Sequence, residues 1–227
     1  MSKNSQGYMG VQVGKLGPAV GRIYRGEQVY SAYQPKVSNP RTEAQQANRC
    51  RFKVLMGLTR EFVPAAALGL KAAADRSLVH YRNLFARLNA GAVSTALVPE
   101  VDYSRLVVAK GPAVPVVFGA ATASSGGKVV VEYMPNGDVS GAKMTDEVYV
   151  FVYGEGQGYG VLAAGVARGV GRVEVELPSR WVGERVHVYG FVRTTNVRAE
   201  WSEALGRKRA PHEVSGSTYV GEVTVEA

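Results

Sequence analysis

The chain has 227 residues, of which 46% are hydrophobic and 20% are charged, so it can bury a substantial core in one or two domains. Its single cysteine, Cys50, excludes an internal disulfide, and we expect it to be a small packed side chain. No window approaches the roughly 18 apolar residues that a membrane span needs. The N-terminus lacks the apolar core of a signal peptide, so we expect a cytoplasmic protein, at least during assembly.

The net charge of +8 is concentrated at one end of the chain. Residues 1–60 contain ten basic and two acidic residues, whereas the remaining residues contain seventeen of each. The whole excess of positive charge therefore precedes an electrically balanced body. Such asymmetry indicates that the N-terminal part meets an anionic partner.

Residues 1–38 are predicted to form a basic, glycine-rich arm or hairpin. Two runs of β-formers, residues 22–25 and 28–33, flank a turn signal at Arg25-Gly26-Glu27-Gln28. Tyrosines alternate with cations along these runs. That alternation suits contacts to phosphates together with stacking on bases.

Residues 39–100 are predicted to be helical. Asn39 suits an N-cap, Pro40 the first helical position and Glu43 the positive end of the helix dipole, so the first helix is expected from Pro40 to about Phe62. Two shorter helices are expected over residues 65–74 and 77–88. The buried face of the first helix is expected to contain Ala44, Ala47, Phe52, Leu55, Met56 and Leu58.

Residues 101–227 change to a period of two, which is typical of strands. The predicted strands, separated by turn-rich segments, are residues 105–109, 116–122, 128–133, 147–153, 159–166, 170–177, 185–193 and 218–225. Many short strands favour an antiparallel β-sandwich in the style of immunoglobulin or fibronectin type III domains. The predicted fold class is α+β: an N-terminal arm and helices followed by this sandwich.

No motif predicts catalysis. The glycine-rich stretch over residues 154–160 has the wrong spacing for a dinucleotide-binding loop, so a hairpin loop is expected there. The three histidines form no metal-binding pair. Asp146 and Glu147, as neighbours at a strand start, point to opposite faces and cannot share a proton. We therefore expect no enzyme activity, no metal and no cofactor.

The residues predicted to bind a partner share positive charge, aromatic rings or helical exposure near the N-terminus. They are Lys15, Arg22, Tyr24, Arg25, Tyr30, Tyr33, Lys36, Arg41, Gln45, Arg49 and Arg51. Three interpretations stay open: they grip nucleic acid, they pack on the chain's own helices, or the arm docks on a neighbouring subunit. Trp201 is a candidate loop anchor or interface residue. The basic triplet at residues 207–209 is either a solvated loop or a second contact with an anionic partner.

Two segments carry a family resemblance. The first runs from Gly14-Lys15-x-Gly17 through Arg25-Gly26 to Asn39-Pro40-x-Thr42-x-Ala44-Gln45-x-x-x-Arg49-x-x-Phe52, and the second is Val214-Ser215-x-Ser217-x-Tyr219-x-Gly221. Together they resemble an uncharacterised family of roughly 200-residue proteins from Bacteroidetes and their phages and mobile elements. The resemblance implies an association with phages or mobile elements and a non-enzymatic role, and it assigns no residue a catalytic role.

These observations predict a structural or assembly protein, a virion or tail-like component that self-associates through its basic arm. The alternative is a DNA- or RNA-binding accessory protein that uses the same arm and helix. An enzyme would need a deep pocket with converging polar groups. A sandwich that binds sugars through its loops is the fourth interpretation.

Overall fold

The structure is a computed structural model that describes residues 3–4, 10–24, 26–36, 39–137, 141–195, 201–203, 207–208 and 212–226. The chain divides into two compact units, Met1–Thr42 and Glu43–Ala227. It is an α+β protein, as the sequence predicts.

The N-terminal unit is a four-stranded antiparallel sheet. Its strands, in spatial as well as chain order, are β1 (Lys3–Asn4), β2 (Gln12–Leu16), β3 (Ala19–Tyr24) and β4 (Glu27–Ala32). The turn between β2 and β3 contains Gly17 at φ +56°, a left-handed conformation that glycine adopts without strain. The arm is thus a sheet in which β3 and β4 form the hairpin.

The second unit begins with four helices. They are α1 (Glu43–Glu61), α2 (Val63–Gly69), α3 (Lys71–Arg76) and α4 (Tyr81–Asn89). The first starts three residues later than Pro40 because Arg41 has φ +52°, which a right-handed helix cannot include. Leu78, also at φ +52°, separates α3 from α4 and shortens the predicted third helix at its start.

The rest of the second unit consists of antiparallel strands. They are β5 (Val117–Ser124), β6 (Lys128–Met134), β7 (Glu147–Gly154), β8 (Tyr159–Leu162), β9 (Val166–Ala167), β10 (Arg172–Glu176), β11 (Arg185–Arg193), β12 (Trp201–Ser202), β13 (Arg207–Lys208) and β14 (Thr218–Thr224). One sheet has the order β10-β6-β5. The central sheet has the order β14-β11-β7-β8, with β9 also paired to β7, and β12 pairs with β13.

One predicted strand is wrong. Arg105 ends a 3-10 helix, and residues 106–109 pair with none of the described strands, although Leu106, Val108 and Ala109 are buried. Side chains satisfy this backbone: the Val107 amide donates to Asn89 Oδ1 at 2.6 Å, and the Val108 amide donates to the Ser217 hydroxyl at 3.0 Å. Burial alone therefore produced the strand-like pattern.

The central sheet separates two hydrophobic clusters. Its aromatic face, with Phe151, Tyr153, Tyr189 and Phe191, packs in one cluster with the helices. Its opposite face is built from valines at residues 148, 150, 152, 186, 188 and 192, which share the second cluster with side chains of β6 and β10. Strand alternation sorts large rings to the helices and small aliphatic groups to the neighbouring sheet.

Candidate functional site

The N-terminal sheet brings four of the predicted binding residues to one face. Lys15 on β2 and Arg22 and Tyr24 on β3 share this face by strand alternation and register. Tyr33 joins them, because Lys15 Nζ lies 3.8 Å from the centre of its ring. This basic-aromatic face is the most concentrated set of predicted residues in the structure.

Tyr30 lies on the opposite face of the same sheet. Its register partner is Gly21, and Gln28 Nε2 donates to the Tyr30 hydroxyl and to the Gln12 carbonyl oxygen at 3.1 Å. A Cβ at Gly21 would stand 2.3 Å from that carbonyl oxygen, so only glycine allows this close contact. The structure therefore divides the predicted tyrosines between two faces.

The N-terminal sheet has almost no interior. Among the described residues 10–36, Gly21 alone is buried. Apolar side chains are exposed on both faces, Val13 and Tyr24 on one and Ile23 and Tyr30 on the other, with exposed fractions of 41–56%. Such a sheet buries no hydrophobic core of its own.

Three further predicted residues belong to this unit. Lys36 and Arg41 are exposed and follow β4 in the chain. Arg25 lies outside the described residues.

Helix α1 has an exposed basic face. Gln45 and Arg49 lie on it, as predicted from their spacing, together with Lys53 and Arg60. Phe52 lies on the same side with 61% of its surface exposed, so its predicted place in the core is wrong. The helix instead buries Ala47, Leu55, Leu58 and Thr59.

Arg51 is the one predicted helix residue that faces inward. Its Nη2 donates to the carbonyl oxygen of Ala90, just after the end of α4. A cation at this position neutralises the negative end of that helix. The structure therefore places Arg51 in the contact between two helices, away from Arg49.

A second polar cluster, which the sequence did not predict, lies between the helices and the central sheet. The Tyr103 ring stacks on His187, with ring centres 4.2 Å apart, and His187 Nδ1 shares a 3.0 Å hydrogen bond with the Tyr219 hydroxyl. The Tyr153 hydroxyl donates to Glu61 Oε2 at 2.6 Å. These residues are distant in sequence, so no local spacing could have revealed the cluster.

Burial favours the neutral forms of three side chains in this cluster. Burial raises the pKa of Tyr103 to about 12 and raises that of Tyr153 further, so both phenols stay protonated at neutral pH. Burial also lowers the pKa of His187, which is 5% exposed, and its Nε2 has no hydrogen-bond partner among the described residues. The cluster ties the helical layer to the sheet.

Asp146 and Glu147, which are adjacent in sequence, have different partners. Asp146 lies beside the buried Arg168, whereas Glu147 Oε2 accepts hydrogen bonds from Arg193 and the Tyr149 hydroxyl. Within the described ranges, no group of three or more histidine, cysteine or acidic residues is placed to hold a metal ion. No described helix is long and apolar enough to cross a bilayer.

The second predicted contact is only partly described. Trp201 is 64% exposed and pairs with Lys208 between β12 and β13. Arg209, the last residue of the basic triplet, lies outside the described residues.

Comparison with protein families gives a match over most of the chain. A family described as a family of unknown function, DUF6266, matches residues 10–206. The chain belongs to this family. DUF6266 therefore covers most of the N-terminal sheet, all four helices and most of the strands, which agrees with the expectation of an uncharacterised family. No curated protein and no solved structure matches the chain.

Proposed function

We propose that the protein is a non-enzymatic assembly protein that self-associates through its N-terminal sheet. The observation that carries this proposal is the lack of an interior in that sheet. Its strands are paired and in register, yet both faces expose tyrosine and aliphatic side chains. A partner surface would supply the missing burial.

The stability of the N-terminal sheet depends on what covers its faces. Small sheets are independently stable only when a hydrophobic face packs on something. Burial of apolar surface contributes about 25 cal/mol per Å², so even a few hundred Å² at an interface would offset the cost of ordering several side chains. A second copy of the chain is always available as that partner, and most soluble oligomers are built from identical chains.

Mass photometry over a concentration series tests the proposal. We expect assemblies of the full chain, and a monomer when residues 1–36 are deleted. The deletion leaves both hydrophobic clusters intact, because all their members follow residue 53. A circular dichroism spectrum and a cooperative melt of the shortened chain serve as the folding control. Assemblies that survive the deletion would overturn the proposal.

A second candidate function, nucleic-acid binding, is favoured by the exposed face of α1. Lys53 and Arg60 are exposed on the same side of α1 as Phe52, whereas Glu43 and Glu61 lie about 120° around the helix from Arg49 at 3.6 residues per turn. Cations around an exposed ring suit a phosphate backbone and a stacked base.

A salt titration of single-stranded DNA binding tests this candidate. Lys53→Ala and Arg60→Ala should each weaken binding. Each variant should also reduce the slope of log affinity against log salt concentration by about 1, which corresponds to the loss of one phosphate contact. Lys110→Ala, at another exposed lysine, is the control that leaves binding unchanged. Absence of binding by the unaltered chain at low salt would exclude the candidate.

The sequence resemblance supports a more specific setting, a phage virion or tail-like particle assembled in the cytoplasm. In such particles, repeated copies of one chain meet through identical contacts. Mass spectrometry of particles purified from a producing culture would test the setting, and absence of the chain from the particles would contradict it.

The fold within this proposal is a β-sandwich of immunoglobulin or fibronectin type III style. It is supported by the shared hydrophobic cluster of the β10-β6-β5 and central sheets, which are both antiparallel. An experimental structure that shows the strand directions of the two sheets aligned within about 30° would agree with it.

A further inference from the structure

A groove crosses the outer face of the β10-β6-β5 sheet. It has a volume of about 360 Å³ and is lined by residues of β5, β6 and the start of β10. The lining residues on the outer face of the sheet are Val117, Glu132, Met134 and Arg172. The inward side chains of the same strands, such as Val131 and Val173, belong to the second hydrophobic cluster. The groove therefore faces away from the interior of the second unit.

The rim of this groove is unusually apolar for an outward sheet face. Met134 is 70% exposed and Val117 is 63% exposed, and they are register partners on adjacent strands. Val170, immediately before the lining residue Gly171, is 62% exposed. Outward positions of an antiparallel sheet are usually polar, and clustered exposed apolar groups mark an interaction site.

The charge of the groove identifies the kind of partner. Glu132 has no ion pair among the described residues, because its cross-strand neighbour Arg172 binds Glu174 at 2.7 Å. The groove thus combines apolar walls with an exposed carboxylate. A complementary surface would be apolar or aromatic and would contain cations.

We infer that this groove receives the basic-aromatic face of the N-terminal sheet of a second copy. That face has the required chemistry: Arg22 and Lys15 supply cations, and Val13 and Tyr24 supply exposed apolar surface. Glu27, the register partner of Tyr24, is the only acidic residue among the described residues 10–36, so the cations Lys15 and Arg22 outnumber acids on this face. The inference rests on the proposed self-association and names its receiving surface.

Crosslinking between two differently sized chains tests the contact. Both chains carry Cys50→Ser; one also carries Met134→Cys and a size tag, and the other carries Tyr24→Cys. A short bismaleimide added to the mixture should join the two chains into one band on a denaturing gel. Val98→Cys replaces Met134→Cys in the control, because Val98 is 82% exposed outside the groove. The control mixture should stay uncrosslinked.

A charge placed in the groove gives a second measurement. Met134→Lys should weaken self-association at least tenfold by mass photometry, whereas Val98→Lys should leave it unchanged. If deletion of residues 1–36 abolishes assembly but both groove measurements are negative, the inference is wrong and the proposed function stands. If the deletion leaves assembly intact, the proposed function itself fails.

Discussion

Arg168 places a cation in the interior of the second unit. It is fully buried, and its hydrogen bonds reach Asn136 Oδ1 at 2.6 Å and the Val114 carbonyl oxygen at 2.7 Å. Its Nη2 also lies 3.6 Å from Asp146 Oδ2, and that carboxylate is 3% exposed. One cation therefore joins the chain segments that contain Val114, Asn136 and Asp146.

Replacement of Arg168 by methionine keeps most of the volume and removes the charge. We expect a loss of about 3–5 kcal/mol in the free energy of unfolding, because the Asp146 carboxylate is left buried without its cation. Urea denaturation measures the change. Arg172→Met is the matched control: its ion pair with Glu174 is about half exposed, so it should cost less than about 1 kcal/mol. Equal losses in the two variants would contradict this account.

The burial of His187 should make the free energy of unfolding depend on pH. Burial lowers its pKa in the folded state, an effect that Glu155 and Glu222 oppose and Arg185 reinforces. The unfolded chain binds the proton more tightly, so the contribution of neutral His187 is complete above the unfolded pKa of about 6.5 and is lost as the pH falls below it.

Urea midpoints between pH 7.5 and 5.5 test this prediction. The unaltered chain should lose stability by up to about 1.4 kcal/mol per pH unit below pH 6.5 from this one group. His187→Asn should be less stable at pH 7.5 and should show a flatter dependence. Since exposed carboxylates titrate in both proteins, the difference between the two curves is the quantity to compare. Parallel curves would show that His187 does not titrate with unfolding.

At the scale of one element, the orientation of α1 can be checked with two phenylalanines. Phe62, immediately after the helix, is fully buried and contacts the rings of Phe85, Phe151, Tyr153 and Tyr189. Phe62→Ala should cost about 3–5 kcal/mol. Phe52→Ala, with a ring that is mostly exposed, should change the free energy of unfolding by less than about 0.5 kcal/mol. Thermal or urea unfolding of both variants distinguishes this orientation from one with Phe52 inside.

Sequence patterns predicted elements well where one period dominated. Strand β11 has the predicted bounds, Arg185–Arg193, and β10 buries Val173 and Val175 while exposing Arg172, Glu174 and Glu176. Patterns failed where contacts are distant: Asn89 and Ser217 satisfy the backbone of the supposed strand at 105–109. They also failed at Phe52, because an apolar residue at helical spacing does not reveal which side of the helix is covered.

The sequence predicted which kinds of residue are exposed on the N-terminal strands, but only partly which face each of them occupies. Alternation of tyrosine and cation predicted an exposed strand surface, and the structure has one at Lys15, Arg22 and Tyr24. The split that puts Tyr30 on the other face follows from the register of β3 and β4. Arg51 turned inward because the end of α4 lies beside it, a tertiary contact that composition cannot show.

At the scale of the whole molecule, the two units should differ in their protection from hydrogen exchange. Among the described residues 10–36 of the N-terminal sheet only Gly21 is buried, so the amides of this sheet should exchange rapidly in dilute solution and become protected as self-association sets in. Amides of β7 and β11, between two hydrophobic clusters, should stay protected at every concentration. Mass spectrometry of peptic peptides from both units measures this. Equal protection of residues 10–36 at all concentrations would contradict the proposal that a second copy supplies their cover.

The two-sided central sheet also limits where the chain can change its length. Cross-strand pairs such as Tyr189 with Phe151 alternate with pairs such as Val188 with Val152. Inserting or deleting one residue within β7 or β11 would exchange rings and valines, leaving voids on one side and clashes on the other. Length variation among related chains should therefore be confined to turns, such as the one joining β7 to β8, and absent from these two strands.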